Sequence, residues 1–229
     1  MHQGKTNSSL YLSKALAALV LGALVIFVLL LIVAPLLSII YRGFFNFDDG
    51  ALEPTLQYVR EVFTERIYWI ALWNTLSVSI GATFVATSLG SLMGWIYVRT
   101  DTPFRSFLEP VSQLPIFIPP FVGAVAWALL AAPRSGTLNK TLATLGLPDI
   151  LDVYTHFGIL LVVGIYLAPY VMMIVAAALR GMDPSLEDAA QLAGLSRTRT
   201  ALRVTAPLLA PAIFSSAALS FTIAIGLFG

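Results

Sequence analysis

Residues 181–207 read GMDPSLEDAAQLAGLSRTRTALRVTAP. Asp183 offers a side-chain oxygen to a first-turn N–H, and Pro184 has a φ already set for the first helical position, so a helix is predicted to begin here. Glu187 and Asp188 place negative charge near the positive end of its macrodipole. Leu186, Ala189, Ala190 and Ala193 recur at three- and four-residue spacing and form a narrow, smooth apolar face. Gly194 supplies a left-handed C-cap, and Ser196 can cap a second short helix carrying Arg197, Arg199 and Arg203. The reading is a helix over 184–193, a hinge, and a basic helix leading to Pro207. A smooth alanine face beside two acids suits a groove on another protein, or an amphipathic helix resting on lipid headgroups.

On either side of this segment the chain is strongly apolar. Hydrophobic residues make up 58% of its 229 residues and charged residues 11%, and its mean hydropathy is +0.87. A soluble domain carries roughly 45–50% apolar and about 25% charged residues. Crossing the bilayer core takes roughly 20 apolar residues. Runs of that length fall at about 15–40, 69–97, 108–132, 157–179 and 205–229, giving five predicted spans. Lys5 and Lys14 precede the first run, but Ala15–Ile40 exceeds the roughly 7–15 apolar residues of a signal-peptide core, so it reads as a retained anchor.

With a cytoplasmic N-terminus, Lys5, Lys14, Arg99, Arg105, Arg180, Arg197, Arg199 and Arg203 fall on the inner side. Arg42, Arg60, Arg66, Arg134 and Lys140 fall on the outer side, with Asp48, Asp49, Glu53, Glu61, Glu65, Asp149 and Asp152. This is the bias of the positive-inside rule. The net charge of +1 gives no global field that points to nucleic acid, and without cysteine there is neither a disulfide nor a thiolate site.

Away from their ends the spans hold no Asp, Glu, Lys, Arg or His. This argues against an ion-coupled transporter and against an intramembrane aspartyl or metallo-enzyme, because such functions place ionisable groups in the membrane. There is no HExxH, Ser/His/Asp or paired-carboxylate arrangement, so no catalytic or metal-binding residue is assigned. His2 and His156 are isolated.

The second run repeats Ala82, Ala86, Gly90 and Gly94 every four residues, a stripe along which another helix can come close. Its Asn74, Thr75, Ser77, Ser79, Thr83, Thr87 and Ser88 suit interhelical hydrogen bonds or a pore lining. The third run, QLPIFIPPFVGAVAW, must break or kink at Pro115, Pro119 and Pro120. A broken helix at membrane depth lines a pathway or bends back near one interface. Asn74, Pro115, Pro119 and Pro120 are the pathway candidates.

The central loop resembles the motif of binding-protein-dependent ABC importer permeases, which is Glu-Ala-Ala, three residues, Gly, nine residues, then Ile-x-Leu-Pro. Asp188, Ala189 and Ala190 stand in the first three places, Gly194 follows, and Val204, Thr205, Ala206 and Pro207 close the pattern. Asp188 replaces the glutamate, Val204 the isoleucine and Ala206 the leucine. The resemblance covers roughly 69–229.

It implies an all-α, polytopic helical bundle of the type I importer kind. Residues 1–68 would form an N-terminal tail, first helix and external loop, and 69–229 the transmembrane domain with a coupling loop at 180–204. Leu186, Glu187, Asp188, Ala189, Ala190, Gly194 and Pro207 would dock an ATPase subunit that binds ATP and magnesium, so the chain itself would be neither an enzyme nor a cofactor carrier. The implied partners are that ATPase, an external substrate-binding protein, a second permease half, fused or separate, and the bilayer of a bacterial inner membrane.

The stretches LPIFIPPFVGAVAWALLAAPRSGTLN and SFTIAIGLFG are most similar to the ferric-iron permease group, with thiamine, phosphonate, polyamine and sulfate permeases as alternatives. Two halves are often fused in such permeases, so the chain is expected to be the N-terminal portion of a longer one. The competing classes are an ion-coupled transporter and a membrane docking or assembly protein.

Overall fold

A bilayer offers backbone groups no hydrogen-bond partner but one another, so long apolar runs close into helices. The computed structural model describes residues 4–48, 51–146 and 152–227, with the side chains of 4–13, 15, 46–48 and 51–53 left aside. His2, Asp49, Asp149 and the last two residues lie outside the described residues. The chain divides into two units, Met1–Ile70 and Ala71–Gly229.

In the first unit, α1 (Gly4–Phe44) exposes its apolar side chains from Leu16 to Ile40 on every face. A helix apolar all round is one that lipid surrounds. The chain then turns through a small antiparallel hairpin of β1 (Phe45–Asp48) and β2 (Ala51–Pro54), with Phe45 opposite Pro54. Thr55 N–H donates to the Phe44 carbonyl at 2.8 Å. This hairpin lies in a loop for which the sequence reading assigned no strand. After α2 (Gln57–Thr64), the Trp69 indole N–H donates to the Phe63 carbonyl at 3.1 Å.

The second unit takes in most of α3 (Arg66–Arg99), then α4 (Arg105–Ser112), a 3-10 turn at Leu114–Phe117, α5 (Pro120–Ala131) and α6 (Thr137–Thr144). These are followed by α7 (His156–Gly181), α8 (Ser185–Leu192), α9 (Arg197–Thr200), a π turn at Ala201–Thr205 and α10 (Ala206–Leu227). Its core is a three-helix seam of Ala86 from α3, Leu167, Val171, Val175 and Leu179 from α7, and Leu209 and Ala224 from α10.

The stripe on α3 lies against α7. A Cβ on Gly90 would stand 2.5 Å from the Ala168 carbonyl oxygen and 2.6 Å from Val171 Cβ. A Cβ on Gly164 of α7 would meet Val85 Cβ at 2.6 Å. Close backbone approach supplies the packing contact that lipid cannot, since lipid tails are as apolar as the side chains.

The third run is broken, and its two halves meet at 106°. The local cause lies in the two prolines. A residue before proline is driven from the helical region, and both Ile118 (ψ 124°) and Pro119 (ψ 137°) are extended. Pro120 then opens α5 at a position where no N–H is needed.

This broken segment crosses fully and does not turn back. Glu109 pairs with Arg180 at the C-terminal end of α7. Ser112 Oγ donates to Met172 Sδ at 3.3 Å, the Tyr166 hydroxyl donates to the Ile118 carbonyl, and Val153 N–H, just before α7, donates to the Ala131 carbonyl at 3.4 Å. The contacts therefore descend the whole of α7, a 26-residue helix about 39 Å long at 1.5 Å per residue. At one end Ser77 meets His156 at 3.1 Å, and at the other Arg99 meets Glu187, so α3 and α7 run parallel and the intervening segment must return between them. With α1 and α10 this makes five apolar spans.

Candidate functional site

The loop between α7 and α10 closes one end of the second unit. Pro184 already has helical backbone (φ −59°, ψ −24°), and Asp183 Oδ1 accepts from Ser185 N–H at 2.9 Å. Asp183 therefore acts as the cap that the sequence suggested. That bond favours the ionised form and holds the Asp183 carboxyl below the usual carboxylate range.

At the other end of α8, Gly194 N–H donates to the Gln191 carbonyl at 2.9 Å and Leu195 N–H to the Ala190 carbonyl at 3.1 Å. This paired arrangement needs a left-handed residue between them, and Gly194 has φ +90°. Ser196 Oγ then accepts from Arg199 N–H at 3.5 Å.

The basic helix does not end before the last span but runs into it. Ala206 N–H reaches back five residues to the Ala201 carbonyl, producing the π turn. Pro207, which has no N–H and whose ring would strike the carbonyl one turn earlier, follows directly. The expected separate basic helix is thus the first turn of a rod that continues from Arg197 to Leu227.

Leu186, Asp188 and Ala189 are exposed, and Leu192 next to them is 89% exposed. Ala190 is half-buried, while Gly194 and Pro207 are exposed. Glu187, grouped from the sequence with the docking residues, points the other way. Its carboxylate accepts from Arg99 Nε at 3.2 Å and from the Thr205 hydroxyl at 2.7 Å, and only 16% of its side chain is exposed. Helical spacing sets Glu187 about 100° from Asp188, so the neighbouring acids point in different directions, one to Arg99 and Thr205 and the other to the exterior. Beside them a cleft of about 530 Å³ is lined by Trp95, Arg99, Asp101, Asp188, Gln191 and Arg197.

The pathway candidates are scattered. Asn74 is exposed near the start of α3, Pro115 is half-buried in the 3-10 turn, and Pro119 and Pro120 are exposed at the break. Thr83 and Thr87, with Ser79 and Ser91 at the same four-residue spacing, have buried hydroxyls that make no hydrogen bond among the described residues. Sequence reasoning missed Arg99, Thr205 and Tyr166 as partners. They lie 88, 18 and 48 residues from the groups they bind, separations that carry no local signal.

Five apolar spans with a helix–glycine–helix loop before the last of them are the features of a membrane-embedded transport component. The chain belongs to the family described as the binding-protein-dependent transport system inner membrane component, which it matches over residues 86–229. It is 33% identical over 171 residues to the sulfate transport system permease protein CysT of Salmonella typhimurium, covering 71% of this chain and 60% of that protein. It is 30% identical over 162 residues to the molybdenum transport system permease protein ModB of Escherichia coli, covering 70% and 69%.

The chain thus spans about three-fifths of the length of its sulfate permease relatives. These relatives are named for sulfate and molybdenum transport, and not for ferric iron as the sequence resemblance had suggested. In fold the chain is similar to a crystallised bacterial ABC transporter for import of the acidic polysaccharide alginate (TM-score 0.72, 18% identity, 94% of this chain and 75% of that one). The similarity extends to the alginate transporter solved with a periplasmic protein bound to an alginate pentasaccharide (TM-score 0.68, 20% identity, covering 90% and 70%).

Proposed function

We propose that the chain is a permease subunit of an ABC importer and that α8 is the helix on which a separate ATPase subunit docks. The observation that carries this reading is the loop itself, a capped helix ended by a left-handed glycine and presenting Leu186, Asp188, Ala189 and Leu192 outward. The docking residues are then Leu186, Asp188, Ala189, Ala190, Gly194 and Pro207. The partner binds ATP with magnesium and hydrolyses the ATP. The loop side is cytoplasmic, the membrane is a bacterial inner membrane, and an external binding protein delivers substrate to a pathway completed by a second permease half.

For substrate we propose a tetrahedral oxyanion of the sulfate and molybdate kind. The names of the relatives support it, and so does the lack of acidic residues in the span interiors, where a carboxylate would repel a dianion and attract a ferric cation.

The test is reconstitution of the permease with its ATPase and binding protein. Ala190→Trp, Gly194→Val and Asp188→Lys should each reach the membrane and lose ATPase capture or stimulated hydrolysis. Should all three capture the ATPase and couple like wild type, α8 is not the docking helix. Stronger vesicle binding by Asp188→Lys with unchanged ATPase capture would identify a headgroup helix instead. Uptake of radiolabelled sulfate or molybdate, and not of ferric iron, checks the substrate.

A further inference from the structure

We infer that the Glu187–Arg99–Thr205 junction is the device that makes α3 and α10 move with α8, so that Glu187 and Arg99 are positioning residues for coupling. The inference rests on the reading of α8 as the ATPase-docking helix. The chain itself joins α8 to α7 and, through α9, to α10, but α3 ended 88 residues before Glu187. A push on α8 reaches α3 only through non-covalent contact. Among the described residues, both hydrogen bonds between this loop and α3 come from Arg99. Its Nε donates to Glu187, and its Nη2 donates to the Met182 carbonyl at 3.4 Å.

Three features suit this junction to carry motion. The ion pair is largely shielded, with 14% of the Arg99 side chain and 16% of the Glu187 side chain exposed, so water screens it less than a surface pair. The Thr205 hydroxyl donates to the same carboxylate at 2.7 Å, so one side chain holds two spans. Thr205 also lies in the π turn, where the helix ladder is slackened and α10 can yield without breaking. Both spans then press on α7, α3 through the bare backbone of Gly90 and α10 through Leu209 and Ala224.

The Glu187 carboxylate is occupied by Arg99 and Thr205. The docking acid is Asp188, one residue further on, so coupling and docking can be separated by mutation. In the assembled transporter, Glu187→Gln and Arg99→Gln should each keep ATPase capture. They should lower substrate imported per ATP hydrolysed by about twofold to thirtyfold, the range of a 0.5–2 kcal/mol change in coupling. The exchange of both residues, R99E with E187R, should recover more of that ratio than either single change retains.

A second measurement reads the motion directly. The chain has no cysteine, so Thr100→Cys and Gln191→Cys, which line the same cleft, can be cross-linked with a short bifunctional reagent. The yield should be equal in the nucleotide-free and vanadate-trapped states of the otherwise unaltered protein, and should fall on trapping when Glu187→Gln is added. Unchanged import per ATP in both single variants, no recovery in the exchange, or an equal cross-link yield with Glu187→Gln would each overturn the junction. Failure of the docking reading is seen elsewhere, in ATPase capture by the Ala190, Gly194 and Asp188 variants.

Discussion

The Tyr166 hydroxyl donates to the carbonyl of Ile118, the residue at which the third span breaks. Pro119 cannot continue the helix, so that carbonyl would otherwise face hydrocarbon or protein without a partner. Tyr166→Phe removes the donor and little volume. It should cost about 1 kcal/mol, the lower end for an orphaned acceptor at a half-buried site. Thermal unfolding in nanodiscs checks this, with Tyr170→Phe as the control.

Pro119 and Pro120 set the break through the residues that precede them. Replacing both with alanine frees Ile118 and position 119 to become helical, and the segment should straighten. Membrane insertion should survive because the apolar run is intact, while uptake should fall severalfold. Uptake at the wild-type rate would make the break incidental to transport.

The contact between α3 and α7 admits no side chain at Gly90. Gly90→Val would force its Cβ onto the Ala168 carbonyl and should cost about 1–3 kcal/mol or more through overpacking. Gly226 of α10 has open space where a Cβ would stand, so Gly226→Ala should be tolerated. Comparing detergent-solubilised melting temperatures of the two variants provides the measurement.

At Gly194 open space surrounds the missing side chain, so only the backbone objects. With φ at +90°, Gly194→Val should cost about 1–2 kcal/mol locally, and Gly194→Asn should cost less because asparagine tolerates the left-handed region. If valine and asparagine impair ATPase capture equally, conformation is not the reason.

Topology can be read on the cysteine-free chain. Ser106 and Thr198 lie at the end of the bundle that carries α8, whereas Thr144 follows the crossing of the broken span to the opposite end. With the loop end cytoplasmic, Ser106→Cys and Thr198→Cys should resist an impermeant thiol reagent in intact cells, and Thr144→Cys should react. The reverse labelling pattern would invert the orientation.

What the sequence by itself determined is whatever depends on near neighbours along the chain. The lengths of the apolar runs set the spans, because a helix that crosses lipid must satisfy its own backbone. Asp183, Pro184 and Gly194 set the ends of α8, because caps and left-handed turns act within one helical turn. The prolines at 115, 119 and 120 announced the break in the same way.

The tertiary structure alone decided what that break is. A kinked run of this length can cross or turn back, and only the descent of its contacts along α7, from Arg180 to Val153, makes it a crossing. It also decided the role of Glu187. Beside Asp188 in sequence the two acids look alike, but a rotation of about 100° per residue turns one to the exterior and the other to Arg99, which folding brings from 88 residues away.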